Sequence, residues 1–274
     1  MKGKAEVEQK RAHGVTPGLN KDYTRRKAEH QAAFVLPYLK PGMNLLDVGC
    51  GPGTITLGLA DRVKPGPVTG IDHDKINIES AEKIAVKKNI TNVSFRMADA
   101  FTLPFKENSF DAVFENNLFV HLSDRAIDSA REIFRVLKNG GFFAARDADA
   151  DSVVWGNQNE TLKEFDKIFY LWQQSRGSEI TIGKKLPVIL REAGFINTIK
   201  TVSADTKGDP ESVKSHAGII ISLLEGPLKK FIVDNNLGDS FFLGYLKENF
   251  ISWGEHPDSF FANVHVEVIG WKQT

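Results

Sequence analysis

Between residues 44 and 146 the chain alternates two periodicities. Short apolar runs at 44–48 (NLLDV), 67–71 (PVTGI), 92–96 (NVSFR), 110–114 (FDAVF) and 141–146 (GFFAAR) read as strands. The segments between them, about 54–63, 75–89 and 124–138, repeat apolar residues at helical spacing. Strands and helices in alternation imply βαβ units, and so an α/β fold with a doubly wound, Rossmann-like parallel sheet. Upstream, Ala28, Ala32, Phe34, Val35, Leu36 and Leu39 suit a helix from Tyr23 to Leu39 that ends before Pro41-Gly42. Two later strands are expected at 195–202 (FINTIKTV) and 264–271 (VHVEVIGW), with aromatic, helix-patterned additions around them. The expected organisation is a flexible arm at 1–20 and a ligand-binding core at 21–150. A helical addition at 151–192, a core strand at 193–204, a helical lid insertion at 205–262 and a final core strand at 263–274 follow.

Composition changes this picture little. Of 274 residues 41% are hydrophobic, enough for a sizeable core. Thirty-five basic residues balance thirty-five acidic ones, so no nucleic-acid partner is expected. The single cysteine, Cys50, gives no support to a secreted disulfide framework. The polar start MKGKAEVEQKRAHG and purely apolar stretches whose longest examples, such as GIII at 218–221, fall far short of a membrane span predict a cytoplasmic protein without membrane contact.

The chemistry concentrates where the first strand hands over to the first helix, in LLDVGCGPGTITLGLA at 45–60. Gly49, Gly51 and Gly53 let a ligand approach the backbone at a helix N-terminus. The nicotinamide fingerprint requires glycine where Thr54 stands, and no Walker lysine follows. Asp47, just before the turn, would repel a pyrophosphate but suits a ligand bearing positive charge. S-adenosylmethionine carries an ammonium, a sulfonium and no phosphate. Asp72, in IDHD at the end of the second strand, is placed to accept hydrogen bonds from ribose hydroxyls. Asp99, in MADA at the end of the third, is placed to accept one from an adenine amino group. Three acids at three successive strand ends outline an adenosine-shaped cleft.

The blocks LLDVGCGPGTITLGLA, TGIDHD, RMADAFTLPFKENSFDAVFENNLFVHL and REIFRVLKNGGFFAARD, spread over roughly residues 30–147, together resemble the class I S-adenosylmethionine-dependent methyltransferases. Within that class they are most similar to the small-molecule branch that includes the ubiquinone and menaquinone biosynthesis enzymes. The resemblance implies that Asp47, Gly49, Gly51 and Gly53 line the methionine part of the cofactor, Asp72 the ribose, and Asp99 with Ala100 the adenine. Asn116 would lie beside the sulfonium, and Cys50 and His73 fall within the same cofactor-binding blocks. It further implies a seven-stranded sheet whose last two strands form an antiparallel pair.

Methyl transfer is an in-line displacement that gains much of its rate from positioning, with a general base where the acceptor is a hydroxyl or amine. The candidates for that role are His121, in NNLFVHL after the fourth strand, and Asp147, at the end of the fifth. The run RDADADSVVW also aligns Asp147, Asp149 and Asp151, oxygen ligands of the kind magnesium or calcium takes. It lacks the glycine and distal glutamate of a calcium loop, and no metal site is assigned. Tyr23, His30, Trp155 and Trp172 are candidates for the substrate pocket, where an apolar chamber admits a flat hydrophobic acceptor. The expected activity is methyl transfer to a small apolar or aromatic organic molecule. Two alternatives stand beside it: methylation of nucleic acid or protein, although ENNL replaces an N-P-P-[YF] motif, and non-catalytic binding of the cofactor.

Overall fold

The computed structural model describes residues 25–273. It divides into two compact units, taken in turn. The described part of the first, the sheet unit, runs 25–148, 181–203 and 265–273. The described part of the second, the helical unit, runs 149–180 and 204–264.

The sheet unit is built on β1 (Leu45–Val48), β2 (Val68–Asp72), β3 (Val93–Met97), β4 (Phe110–Asn116) and β5 (Leu137–Ala148), linked by α2 (Thr54–Val63), α3 (Lys75–Lys87) and α5 (Ala126–Val136). Strand order is β3-β2-β1-β4-β5-β8, with β7 (Ile196–Lys207) paired to β8 (Phe261–Trp271). The first five strands pair in parallel, and β8 enters antiparallel to β5, with Ala148 opposite His265 and Asp147 opposite Val266. All four residues of β1 are buried, as both-face coverage of a parallel sheet demands. Edge strand β3 has no fully buried residue. Helix α5 buries Ala126, Ser129, Ala130, Ile133 and Val136, one stripe at helical spacing. Thr181–Ser203, with α7 (Leu186–Ala193), clusters with the sheet.

The long helix expected at 23–39 is corrected. Tyr23 and the arm at 1–20 lie outside the described residues. Of the remainder, only α1 (Ala28–Gln31) is α-helical, followed by turns and a 3₁₀ segment at Leu36–Tyr38. Pro37 supplies no N–H and restricts Leu36, so the apolar spacing is satisfied by a broken path. Ala28, Ala32, Val35 and Leu39 still reach the core beneath β1.

The helical unit packs α6 (Glu160–Ser175), α8 (Pro210–Glu225), α9 (Pro227–Asp234) and α10 (Ser240–Glu255) around Leu162, Phe165, Leu223, Leu228, Phe250 and Trp253. The side chains of Asn159, Asp209 and Asp239 cap α6, α8 and α10. A two-residue strand, β6 (Val154–Trp155), pairs with the first residues of β8 and brings the sheet to eight strands. Among the described residues no helix is long and apolar enough to cross a membrane.

Candidate functional site

The glycine turn leaves β1 and starts α2. Gly49, Gly51 and Gly53 all take left-handed φ, at 77°, 52° and 78°. At Gly53 the requirement is doubled, because a Cβ there would stand 2.7 Å from the Cβ of Ala81. At Gly51 a Cβ would meet nothing within 4 Å, so the backbone faces open space that a ligand can enter. The turn is tied to β2: the N–H groups of Gly49 and Cys50 both donate to the Ile71 carbonyl, at 2.8 and 2.9 Å. Cys50 is buried, and burial pushes its thiol well up, which makes it a packing residue and not a nucleophile.

Asp47 is buried at the end of β1, where the Thr56 hydroxyl donates to its Oδ2 at 2.6 Å. Burial raises its pKa to about 7; the Thr56 bond opposes the shift and the neighbouring Asp72 adds to it. A cationic ligand group would relieve that penalty. Asp72 ends β2 with Oδ2 accepting from Gly51 N–H and Oδ1 from Asp74 N–H, each at 2.9 Å. Its carboxylate therefore shapes the glycine turn itself, while each oxygen keeps a lone pair for a hydroxyl. His73 is exposed, with Nδ1 3.5 Å from Asp72 Oδ1. Asp99 and Ala100 follow β3; Asp99 is exposed, and its Oδ1 accepts from Phe101 N–H at 2.9 Å. Asp47, the turn, Asp72 and the Asp99 loop thus lie on consecutive strand ends.

The β4 and β5 ends hold a second polar group. Asn116 Oδ1 accepts from Arg146 Nη1 at 3.0 Å. Arg146, 1% exposed, also donates through Nε to Ser203 Oγ at 3.1 Å and lies 3.4 Å from Glu267 Oε1. Asp147 is fully buried, with Oδ1 accepting from Val120 N–H at 3.0 Å and Oδ2 from Phe119 N–H at 3.2 Å. Burial raises its pKa to about 7 against those two bonds, the neighbouring Glu115 and the Arg146 charge. His121 is exposed on α4 (Phe119–Leu122), the short helix that Asp147 caps. His30 is exposed on α1.

Trp155 and Trp172 belong to the core of the helical unit. Trp155 Nε1 donates to Asp166 at 3.0 Å, and Arg176 lies over the Trp172 ring at 4.6 Å. Asp149 Oδ1 accepts from Asp151 N–H at 3.3 Å. Among the described residues no three His, Cys, Asp or Glu side chains converge as metal ligands.

Sequence reasoning passed over Thr56, Glu115, Arg146 and Glu267. One signal was present. In FDAVFEN a glutamate sits inside a run that must be buried on both sides, and such an acid needs donors or a proton.

The residues present fit S-adenosylmethionine: a buried acid for the ammonium, an open glycine turn for the backbone approach, and a carboxylate at the second strand end for the ribose.

Comparison with known proteins bears on this site. A family model described as a methyltransferase domain matches residues 39–194. An uncharacterized methyltransferase of Schizosaccharomyces pombe is 33% identical over 185 residues, a match that spans 64% of this chain and 64% of the relative, less than two thirds of its length. A demethylmenaquinone methyltransferase of Listeria monocytogenes is 26% identical over 212 residues, 69% of this chain and 89% of that protein. Among solved structures, the YcgJ protein of Bacillus subtilis superposes with a TM-score of 0.60 at 20% identity, covering 90% of this chain and 99% of that one. At that identity the likeness concerns the fold.

Proposed function

The chain belongs to the methyltransferase-domain family, whose cofactor is S-adenosylmethionine, and from that premise we propose that it transfers a methyl group to a small, apolar or aromatic organic acceptor. The observation that carries the reading is the glycine turn, open at Gly51 and pinned by Asp72 beside the buried Asp47. S-adenosylmethionine, when bound, supplies an electrophilic methyl group.

Each residue then has a task. Asp47 holds the ammonium and is ionised by it. The backbone at Gly49–Gly53 receives the methionine portion, and Asp72 accepts from the ribose hydroxyls. Asp99 and Ala100 border the adenine. Asn116 is held at the end of β4 by Arg146, whose charge Glu267 balances, so the polar group nearest the reacting centre is fixed without leaving an unpaired charge. Of the two proton-acceptor candidates, His121 is exposed and Asp147 has an amide on each oxygen. We therefore assign the general-base role to His121 and a holding role to Asp147. Support for a small acceptor comes from the demethylmenaquinone relative and from a formal net charge of zero, which offers a polyanion no attraction.

The test is a methyl-acceptor screen with labelled S-adenosylmethionine, run on phenols, catechols, quinols and amines beside RNA and protein. Label in a small phenol or quinol, reduced in His121→Ala, supports the reading. Label confined to RNA or protein overturns it.

A further inference from the structure

One pair of buried acids is not accounted for by cofactor contacts: Glu115 on β4 and Asp147 on the adjacent β5, both without solvent exposure. Glu115 Oε1 accepts from Arg146 N–H and Oε2 from Leu118 N–H, both at 3.1 Å. Asp147 takes the next two amides, those of Phe119 and Val120. The two acids thus grip the consecutive amides 118, 119 and 120 of one segment. That segment opens at Asn117, in left-handed φ at 56°, and carries Leu118. Leu118 Cδ1 lies 3.0 Å from where a Cβ on Gly49 would stand, so it walls the first glycine of the turn.

We propose that Glu115 and Asp147 are positioning residues for cofactor binding: by taking the amides of residues 118–120 they clamp that segment and hold Leu118 against the Gly49 turn. This rests on reading that turn as the S-adenosylmethionine site. Burial pushes the Glu115 carboxyl well up and the neighbouring Asp147 charge adds to that, so ionising both acids sets two negative charges in a dry setting, and the clamp opens by repulsion. Other ionisable groups surround the pair on the elements packed against it. They are Arg146 on β5, His121 on α4, His265 and Glu267 on β8, Asp47 on β1, and Lys184 and Lys185 in the turn Ile182–Lys185, which packs on the Asp147 carbonyl. Arg146 favours an ionised Asp147 but is itself paired with Glu267.

The experiment is calorimetric binding of S-adenosylhomocysteine by the full chain from pH 6 to 9.5, in wild type, Glu115→Gln and Glu115→Ala, with hydrogen exchange of amides 118–120 in the cofactor-free protein. Wild-type affinity should fall toward the alkaline end of that range. Glu115→Gln cannot ionise and loses one acceptor, so it should bind more weakly at pH 7.5 and lose the alkaline fall. Glu115→Ala should bind about tenfold more weakly, with faster exchange at 118–120. If Glu115→Gln keeps the wild-type alkaline fall, or Glu115→Ala keeps wild-type affinity and protection, the clamp is overturned. Should Glu115→Ala not fold, wild type and Glu115→Gln decide. A wild type that binds no S-adenosylhomocysteine at any pH overturns the cofactor reading instead, and exchange at 118–120 still judges the clamp.

Discussion

The two units bury polar groups for different purposes. In the helical unit polar contacts tether the aromatic core: Trp155 Nε1 to Asp166, and Trp253 Nε1 to the Gly156 carbonyl at 2.8 Å. Each satisfies the one polar atom of a large apolar ring. In the sheet unit Asp47, Asp72, Glu115, Arg146, Asp147 and Glu267 are all buried, and most of them stand at or near strand ends, where Asp72, Glu115 and Asp147 hold turn and segment amides. Stability alone does not favour that arrangement, because buried charges cost more to desolvate than apolar residues of the same volume. Such a set suits the cofactor role proposed for this end of the sheet.

The largest effect that sharpens this contrast lies in the helical core. Phe250, fully buried and 4.7 Å from the Phe165 ring centroid, should cost about 3–5 kcal/mol of that unit's stability when changed to alanine. Urea denaturation measures the loss. If the cofactor groups all belong to the sheet unit, S-adenosylhomocysteine affinity should change less than about threefold.

Within the glycine turn, two substitutions of the same chemistry should separate fold from function. Gly53→Val meets Ala81 and Phe95 as well as an unfavourable φ, and should lose roughly 2–5 kcal/mol in thermal and chemical unfolding. Gly51→Val meets open space and should lose only about 1–2 kcal/mol from its φ, yet abolish S-adenosylhomocysteine binding. A folded Gly51→Val protein with wild-type affinity would remove the turn from the site.

Asp72→Ala should weaken binding by about 10- to 100-fold, each charge-assisted hydrogen bond contributing about 1.5–3 kcal/mol. Calorimetry reads this directly, and NADH binding lost in the same variant would point to a different cofactor.

The smallest effects are in pH dependence, and they run in opposite directions in the two units. Burial raises Asp166 to about pKa 6, against the Trp155 hydrogen bond. The folded unit keeps a proton that the unfolded chain releases near pH 4, so this contribution is full in acid and is lost as pH rises through 6. Stability of the helical unit should decline between pH 4 and 6.5, and Asp166→Asn should flatten the decline. Asp47, raised to about 7, instead reports on ligand binding. If the ligand ammonium ionises it, binding releases a proton, and S-adenosylhomocysteine affinity should climb from pH 6 to 8. Calorimetry in two buffers of different ionisation enthalpy would detect that proton, and its absence would place the ammonium elsewhere.

Much of the sheet unit was legible in advance. The helix at 54–63 forms as the spacing predicts, and the strands at 45–48, 68–72, 93–97 and 110–116 fall within two residues of their expected bounds. The reason is local: a strand buried on both faces must be continuously apolar, and the glycines between it and the next helix have no other conformational use. The segment at 23–39 misled because apolar spacing alone does not tell a helix from a chain that reaches the same core by turns around Pro37. The aromatics at 155 and 172 carry the same ambiguity. A buried ring reads alike whether it faces a ligand or another ring, and here Trp155 stands 5.2 Å from Trp253 and Trp172 stands 5.6 Å from Phe169.

By itself, then, the sequence determined the order of strands and helices, the place of the turn and the three acids at successive strand ends. These depend on period and on residue type, which every window of the chain displays. Only the tertiary structure decided which acids are buried, which meet and which hold an amide. Glu115 and Asp147 are 32 positions apart and become a pair because β4 and β5 are neighbours in register. Arg146 meets Glu267 because β8 returns antiparallel beside β5. Ionisation follows from the dielectric surroundings and the donors within a few ångströms, and those are set by parts of the chain that no local pattern connects.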